Sequence, residues 1–128
     1  MNASFINLQY GDVSEEIATL GDVQIHDWPD NDPLTDLDNQ AALISCLDLV
    51  ITIDNATVHM AGALGTKTWA LVEQVPDWRW PEVFGDCPPL YRSVRLFRQK
   101  QLFEWGDVID QVAQSLNELI ETEQAPKN

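Results

Sequence analysis

Two short runs, Leu49-Val50-Ile51-Thr52-Ile53 and Thr68-Trp69-Ala70-Leu71-Val72, constrain this chain more than any other feature. Both are almost wholly apolar, and neither alternates with polar residues. A strand of that kind is buried on both faces, which implies a parallel sheet covered by helices. Between them lies a helical stretch, Asn55–Leu64, stopped by Gly65. Strand, helix and strand then form a right-handed crossover. Both runs are expected as central strands.

The rest of the chain fits the same alternation. Phe5–Gln9 is a short strand, Val13–Leu20 a helix closed by Gly21, and Val23–Ile25 a weaker second strand. Residues 27–38 hold Pro29, Pro33 and five aspartates, the composition of a loop. A helix over Asn39–Leu47 follows, with Asp38 as its N-cap. Pro76–Tyr91, with Trp78, Trp80 and four prolines, is a long structured loop, and Val94–Phe97 is a short strand. Val108, Ile109, Val112, Ala113, Leu116, Leu119 and Ile120 share one face of a final amphipathic helix. The fold class is therefore α/β, an open parallel sheet of about five strands with helices on both faces. At 128 residues the chain is expected to form one domain over 1–122, with a flexible tail over 123–128.

Charge excludes several functions. The formal net charge is −14, from 21 acidic and 7 basic residues. General binding to nucleic acid or to an anionic membrane needs cationic surface and is not expected. No apolar run approaches the roughly 20 residues of a membrane span. The first residues lack a basic region followed by a long apolar one, so no signal peptide is expected. Cys46 and Cys87 are far apart, without ligand spacing. A reduced, cytoplasmic protein with no metal and no cofactor is the expectation. The one net-positive stretch is 76–100, where Arg79, Arg92, Arg95, Arg98 and Lys100 face three acids. Those arginines either pair locally or form a site for phosphate or carboxylate.

Ligands of open α/β sheets bind at the carboxyl ends of the strands. The most informative end is Asp54-Asn55-Ala56-Thr57-Val58-His59. A helix starting there offers free N–H groups at Ala56, Thr57 and Val58, with the Thr57 hydroxyl and the His59 imidazole nearby. Two readings stand: an anion site, or a plain helix cap with a packed histidine. The acids that a receiver domain needs after its first strand are replaced by Gln9-Tyr10, and Gly11–Glu16 is too acidic for a flavodoxin phosphate loop. No Walker loop or GxGxxG is present, and neither histidine has an obvious nucleophile partner.

Taken together, Ala41–Ile44, Leu47–Asp54 and His59-Met60-Ala61-Gly62-Ala63-Leu64-Gly65 resemble the C-terminal half of GT-B glycosyltransferases. The resemblance is to the heptosyltransferase-like family and its relatives fused to tetratricopeptide repeats. Pro76-Asp77-Trp78-Arg79-Trp80 and Tyr91–Gln99 resemble the second group, and the likeness runs from Phe5 to Leu119. It implies a Rossmann-like sheet that is half of a GT-B fold and binds a nucleoside diphosphate sugar. Asn55, Ala56, Thr57 and His59 would face the phosphates, with Asp54 orienting them. Gln9 would lie at the nucleotide's edge, and Trp78 and Arg79 would line the loop over the donor. Where heptosyltransferases carry Asp-Thr-Gly, this chain has Asp54-Asn55-Ala56, with alanine as in the tetratricopeptide relatives. The acceptor site and usual base of a GT-B enzyme lie on its other half. The expectation is therefore a donor-binding half, inactive alone and with no catalytic residue assigned: a separately encoded fragment whose partner or second copy supplies the other half, an orphan domain that binds without transferring, or a truncated gene. The alternative is a non-catalytic module that dimerises or binds a partner through the face that the missing half would cover. Trp28, Trp78 and Trp80 suit either such a contact surface or a local core under the loop.

Overall fold

The computed structural model describes residues 2–126. The chain divides into two compact units, one ending at Leu43 and the other beginning at Ile44.

In the first unit, β1 (Phe5–Ile6) and β2 (Ile25–His26) form a short parallel pair on either side of α1 (Ser14–Ala18). The second strand comes slightly later than expected. Asp12 lies just before α1, where its carboxylate accepts both the N–H and the hydroxyl of Ser14. These bonds hold its pKa below the usual aspartate value. Helix α2 (Leu37–Ser45) begins two residues before the expected Asn39. Its cap is Asp36 rather than Asp38. The Asp36 carbonyl accepts the N–H of Gln40, and its carboxylate accepts those of Asn39, the backbone one at 3.0 Å.

The second unit is built on a three-stranded parallel sheet in the order β3 (Val50–Ile53), β4 (Thr68–Val72), β5 (Val94–Arg98). All five residues of β4 are buried, as the apolar run implied. Strand β3 departs from expectation. It lies at the edge of this sheet, and Ile51 and Ile53 are 40% and 57% exposed. An apolar, β-branched run shows that residues suit a sheet but does not say how many neighbours the strand pairs with. The five expected strands are all present, but they form two hydrogen-bonded sheets rather than one.

Successive side chains of a strand point to opposite faces. One face gathers Ala70, Val72, Val94 and Leu96 with Trp80 and with Val58 of α3 (Ala56–Leu64). The other gathers Trp69, Leu71 and Phe97 with Val108 and Val112 of α4 (Gly106–Gln124). Helices therefore cover both faces of this sheet. Helix α3 ends at Gly65, whose φ of 74° is the left-handed turn that glycine adopts without cost. Helix α4 continues four residues past Ile120 and stops at Ala125, which is held extended ahead of Pro126. The expected flexible tail thus begins inside this helix, and its last two residues lie outside the described ones. Among the described residues no helix is long and apolar enough to cross a membrane.

Candidate phosphate site at the start of helix α3

Strand β3 ends at Ile53 and α3 begins at Ala56, so Asp54 and Asn55 make the whole connection. Asn55 is extended, and its side-chain oxygen accepts the N–H of Thr57 at 3.0 Å and the hydroxyl of Thr52 at 3.1 Å. A cap of this kind is worth about 1 kcal/mol. It changes the supply of free donors. The Thr57 N–H is occupied, and Val58 is wholly buried in the core. Of the three donors expected from the first turn, only that of Ala56 sits on an exposed residue and is unclaimed by the cap. The positive end of the helix dipole remains at the same place.

One turn further on, His59 is held from three sides. Its Nδ1 lies 3.1 Å from the Tyr91 hydroxyl. Its ring stacks on Trp80, with centroids 5.5 Å apart and planes at 17°. Its Nε2 lies 3.9 Å from an Asp54 carboxylate oxygen. About a third of each side chain of this last pair is exposed. Tyr91 fits because residue 62 is glycine. A Cβ there would lie 2.5–2.8 Å from three carbons of the tyrosine ring.

Arg98 fixes the loop that delivers Trp80. From β5 its guanidinium donates to the carbonyls of Trp80 (2.9 Å), Pro81 (3.2 Å) and Gly85 (2.7 Å). Asp86, just beyond, accepts the N–H of Leu96 at 2.8 Å. Trp80 is fully buried, and burying an aromatic of this size contributes several kcal/mol. The loop is thus a built wall against His59.

The positive stretch is used mainly within the protein. Arg98 holds carbonyls, and Arg95 lies over the rings of Phe97 and Trp69, 4.5 and 5.9 Å from their centroids. Arg79 pairs with Asp77 at 2.7 Å and lies over Trp78. Trp78, Arg79 and Asp77 therefore form a group of their own. Among the described residues no hydrogen bond or ion pair joins Arg79 to Thr57 or His59. Gln9 is an exposed residue of the first unit, where its N–H donates to the Asn7 side chain.

Asp54, Asn55, Ala56, Thr57 and His59 are thus brought together, and Trp78 with Arg79 forms a second group. Sequence reasoning missed Trp80, Tyr91 and Arg98. One signal was available: a glycine between two alanines inside a helix marks a close approach by another group.

The sequence profile of glycosyltransferase family 9 (heptosyltransferase) matches residues 32–102, more than half of the chain. The match contains the strand–helix connection, His59, Trp80, Tyr91 and Arg98. The chain is also 40% identical over 118 residues to protein FlbA of Caulobacter vibrioides, an alignment covering 89% of this chain and 19% of FlbA. It therefore spans about a fifth of the length of that relative. No solved structure matches the chain. A profile match over more than half its length, containing the strand–helix connection on which the site is built, places this chain in glycosyltransferase family 9.

Proposed function

We propose that the second unit binds the diphosphate of a nucleoside diphosphate sugar at the start of α3, as the donor-binding half of a GT-B glycosyltransferase. The observation that carries this reading is the held imidazole. His59 is fixed by Tyr91 and Trp80, and its free edge lies beside the positive end of a helix in a chain of this family. The Ala56 N–H, the helix dipole and the Nε2 edge of His59 all suit negative charge. Charge develops on the departing diphosphate as the sugar bond breaks, and donors already in place stabilise it at no cost of reorganisation. Asp54 orients the imidazole, and Asn55 and Thr57 shape the turn. Trp78 and Arg79 border the donor from the loop.

The residues gathered here act on the leaving group. Activation of an acceptor is assigned to the other GT-B half, contributed by a partner or by a longer protein, so the chain alone binds donor without transferring sugar. Val75, Trp78, Val83 and Phe103 are all more than 70% exposed and support a second reading, a contact surface for a partner or a second copy.

Calorimetry with UDP, GDP and ADP tests the main reading. Binding of at least one is expected, weak because −14 of net charge repels an anion. His59→Ala should weaken it about tenfold, the scale of one charge-assisted hydrogen bond, and Arg79→Ala should weaken it less. No heat with any nucleotide, or an unchanged affinity in His59→Ala, would leave the contact-surface reading. Turnover of a sugar nucleotide by the purified chain would refute inactivity.

A further inference from the structure

We infer that Tyr91 is a positioning residue, which holds the proton of neutral His59 on Nε2 and aims that N–H across the α3 start. The proton's place on an imidazole is set by what its two nitrogens face. Nδ1 faces the Tyr91 hydroxyl at 3.1 Å, and a phenol can donate to it. Nε2 faces the Asp54 carboxylate at 3.9 Å. A carboxylate can only accept, so a proton on Nε2 meets an attractive charge, whereas a bare Nε2 lone pair would face another lone pair. Both neighbours therefore favour the same tautomer, with Tyr91 O–H donating to Nδ1 and Nε2 carrying hydrogen.

The 3.9 Å separation matters as much as its sign. It is too long for a hydrogen bond. Asp54 biases the proton without occupying it, and the N–H stays available for an incoming oxyanion. His59 is thereby a donor to the ligand, not a base toward it. The tyrosine cannot drift from its task. Its ring lies against Gly62, tilts against Trp80 at 6.4 Å, and is tethered to the helix that carries the histidine. His59 and Gly62 are three residues apart and share a face of α3. One helix face thus supplies both the imidazole and the slot for the group that orients it.

The tautomer needs no ligand. Only its use, donation to a diphosphate oxygen, rests on the donor-binding reading. Long-range proton–nitrogen NMR on the full chain, at a pH where the imidazole is neutral, identifies the protonated nitrogen. Nε2–H is expected to dominate. Tyr91→Phe keeps the ring on Gly62 and removes only the hydroxyl, and it should move the tautomer ratio roughly threefold to tenfold toward Nδ1–H. Binding of whichever of UDP, GDP and ADP the native chain takes should weaken by a similar factor in the same variant. A dominant Nδ1–H form in the native chain, or a ratio unchanged in Tyr91→Phe, would overturn the inference. Should Tyr91→Phe not fold, Gly62→Ala displaces the same hydroxyl and must move the ratio in the same direction. If none of UDP, GDP and ADP binds the native chain, the donor-binding reading falls, and the tautomer ratio alone decides whether Tyr91 positions His59.

Discussion

Replacing Gly62 by alanine should destabilise this protein, against the ordinary trend for helices. In an unobstructed helix interior, glycine to alanine gains about 0.5–1 kcal/mol, because alanine loses less backbone entropy on folding. Here the new methyl carbon would sit 2.5 Å from Cγ of Tyr91 and 2.7–2.8 Å from both Cδ atoms. Ordinary contact begins near 3.4 Å, so the ring must retreat by close to 1 Å. The colliding atoms are at the root of the ring, and the ring itself tilts against Trp80 and His59, so no simple rotation clears the clash. Overpacking of this kind costs about 1–3 kcal/mol. After subtracting the helix gain, the variant should be less stable by up to about 2.5 kcal/mol, with a central value of about 1 kcal/mol. Urea denaturation followed by tryptophan fluorescence reads this as a lower midpoint with an unchanged slope. Tyr91→Ala removes the obstacle, so Gly62→Ala made in that background should recover the stabilising sign, and the double-mutant cycle isolates the contact. A midpoint that rises in the single variant would show that Tyr91 does not sit in the Gly62 slot.

Other outcomes follow from the same geometry. Asn55→Ala should cost about 1 kcal/mol by removing the cap, whereas Asn55→Asp should keep thermal stability yet weaken nucleotide binding, since it sets a negative charge at the proposed phosphate position. Arg98→Met should cost about 2 kcal/mol and speed amide exchange over residues 80–86, where three carbonyls lose their donor. Asp12 has its pKa lowered by the side-chain and backbone bonds from Ser14, so its contribution is complete above the usual aspartate value and is lost as pH falls through its own lower one. Carbon NMR of its carboxyl group should show that low midpoint, and Ser14→Ala should raise it. Raising salt from low to about 0.15 M should leave nucleotide affinity unchanged or slightly higher, because screening weakens the repulsion from the net negative charge; a clear fall would mean that charge pairing with the arginines of residues 76–100, rather than His59 and the helix start, dominates binding.

What could be read in advance depended on how local its cause was. The β4 run, the Gly65 stop and the periodicity of α4 are set by residues within a few positions of one another, and the structure has them where they were expected. The start of α2 was misplaced because the loop before it is full of aspartates. Two of them, Asp36 and Asp38, are chemically equal caps, and only the path of the chain decides between them. The edge position of β3 was not legible, because side-chain character says nothing about how many strands lie alongside. The site divides in the same way. Asp54, Asn55, Ala56, Thr57 and His59 lie within one six-residue stretch after a strand, so they could be named. Tyr91 reaches His59 across 32 positions, and the Arg98 guanidinium reaches the Trp80 carbonyl across 18.

Under the proposed donor binding, the fate of the arginines explains how an acidic chain would hold an anion, and by what means. A cluster of five bases in a chain of −14 suggests direct charge pairing with a phosphate. Three of the five are engaged within the fold: Arg98 on backbone carbonyls, Arg95 on aromatic faces, Arg79 on Asp77. What faces the α3 start is instead a backbone N–H and the His59 imidazole, with the Asp54 carboxylate 3.9 Å from its Nε2, at the positive end of a nine-residue helix. Such donors act over short range and require exact placement, whereas a guanidinium tolerates misplacement because its charge acts over several ångströms. A site of this type must be rigid to work. That demand accounts for the glycine that admits Tyr91, the buried indole under the imidazole, and an arginine committed to holding that indole's loop in place. The positive charge of residues 76–100 thus serves the site indirectly, by fixing the wall against which His59 is aimed.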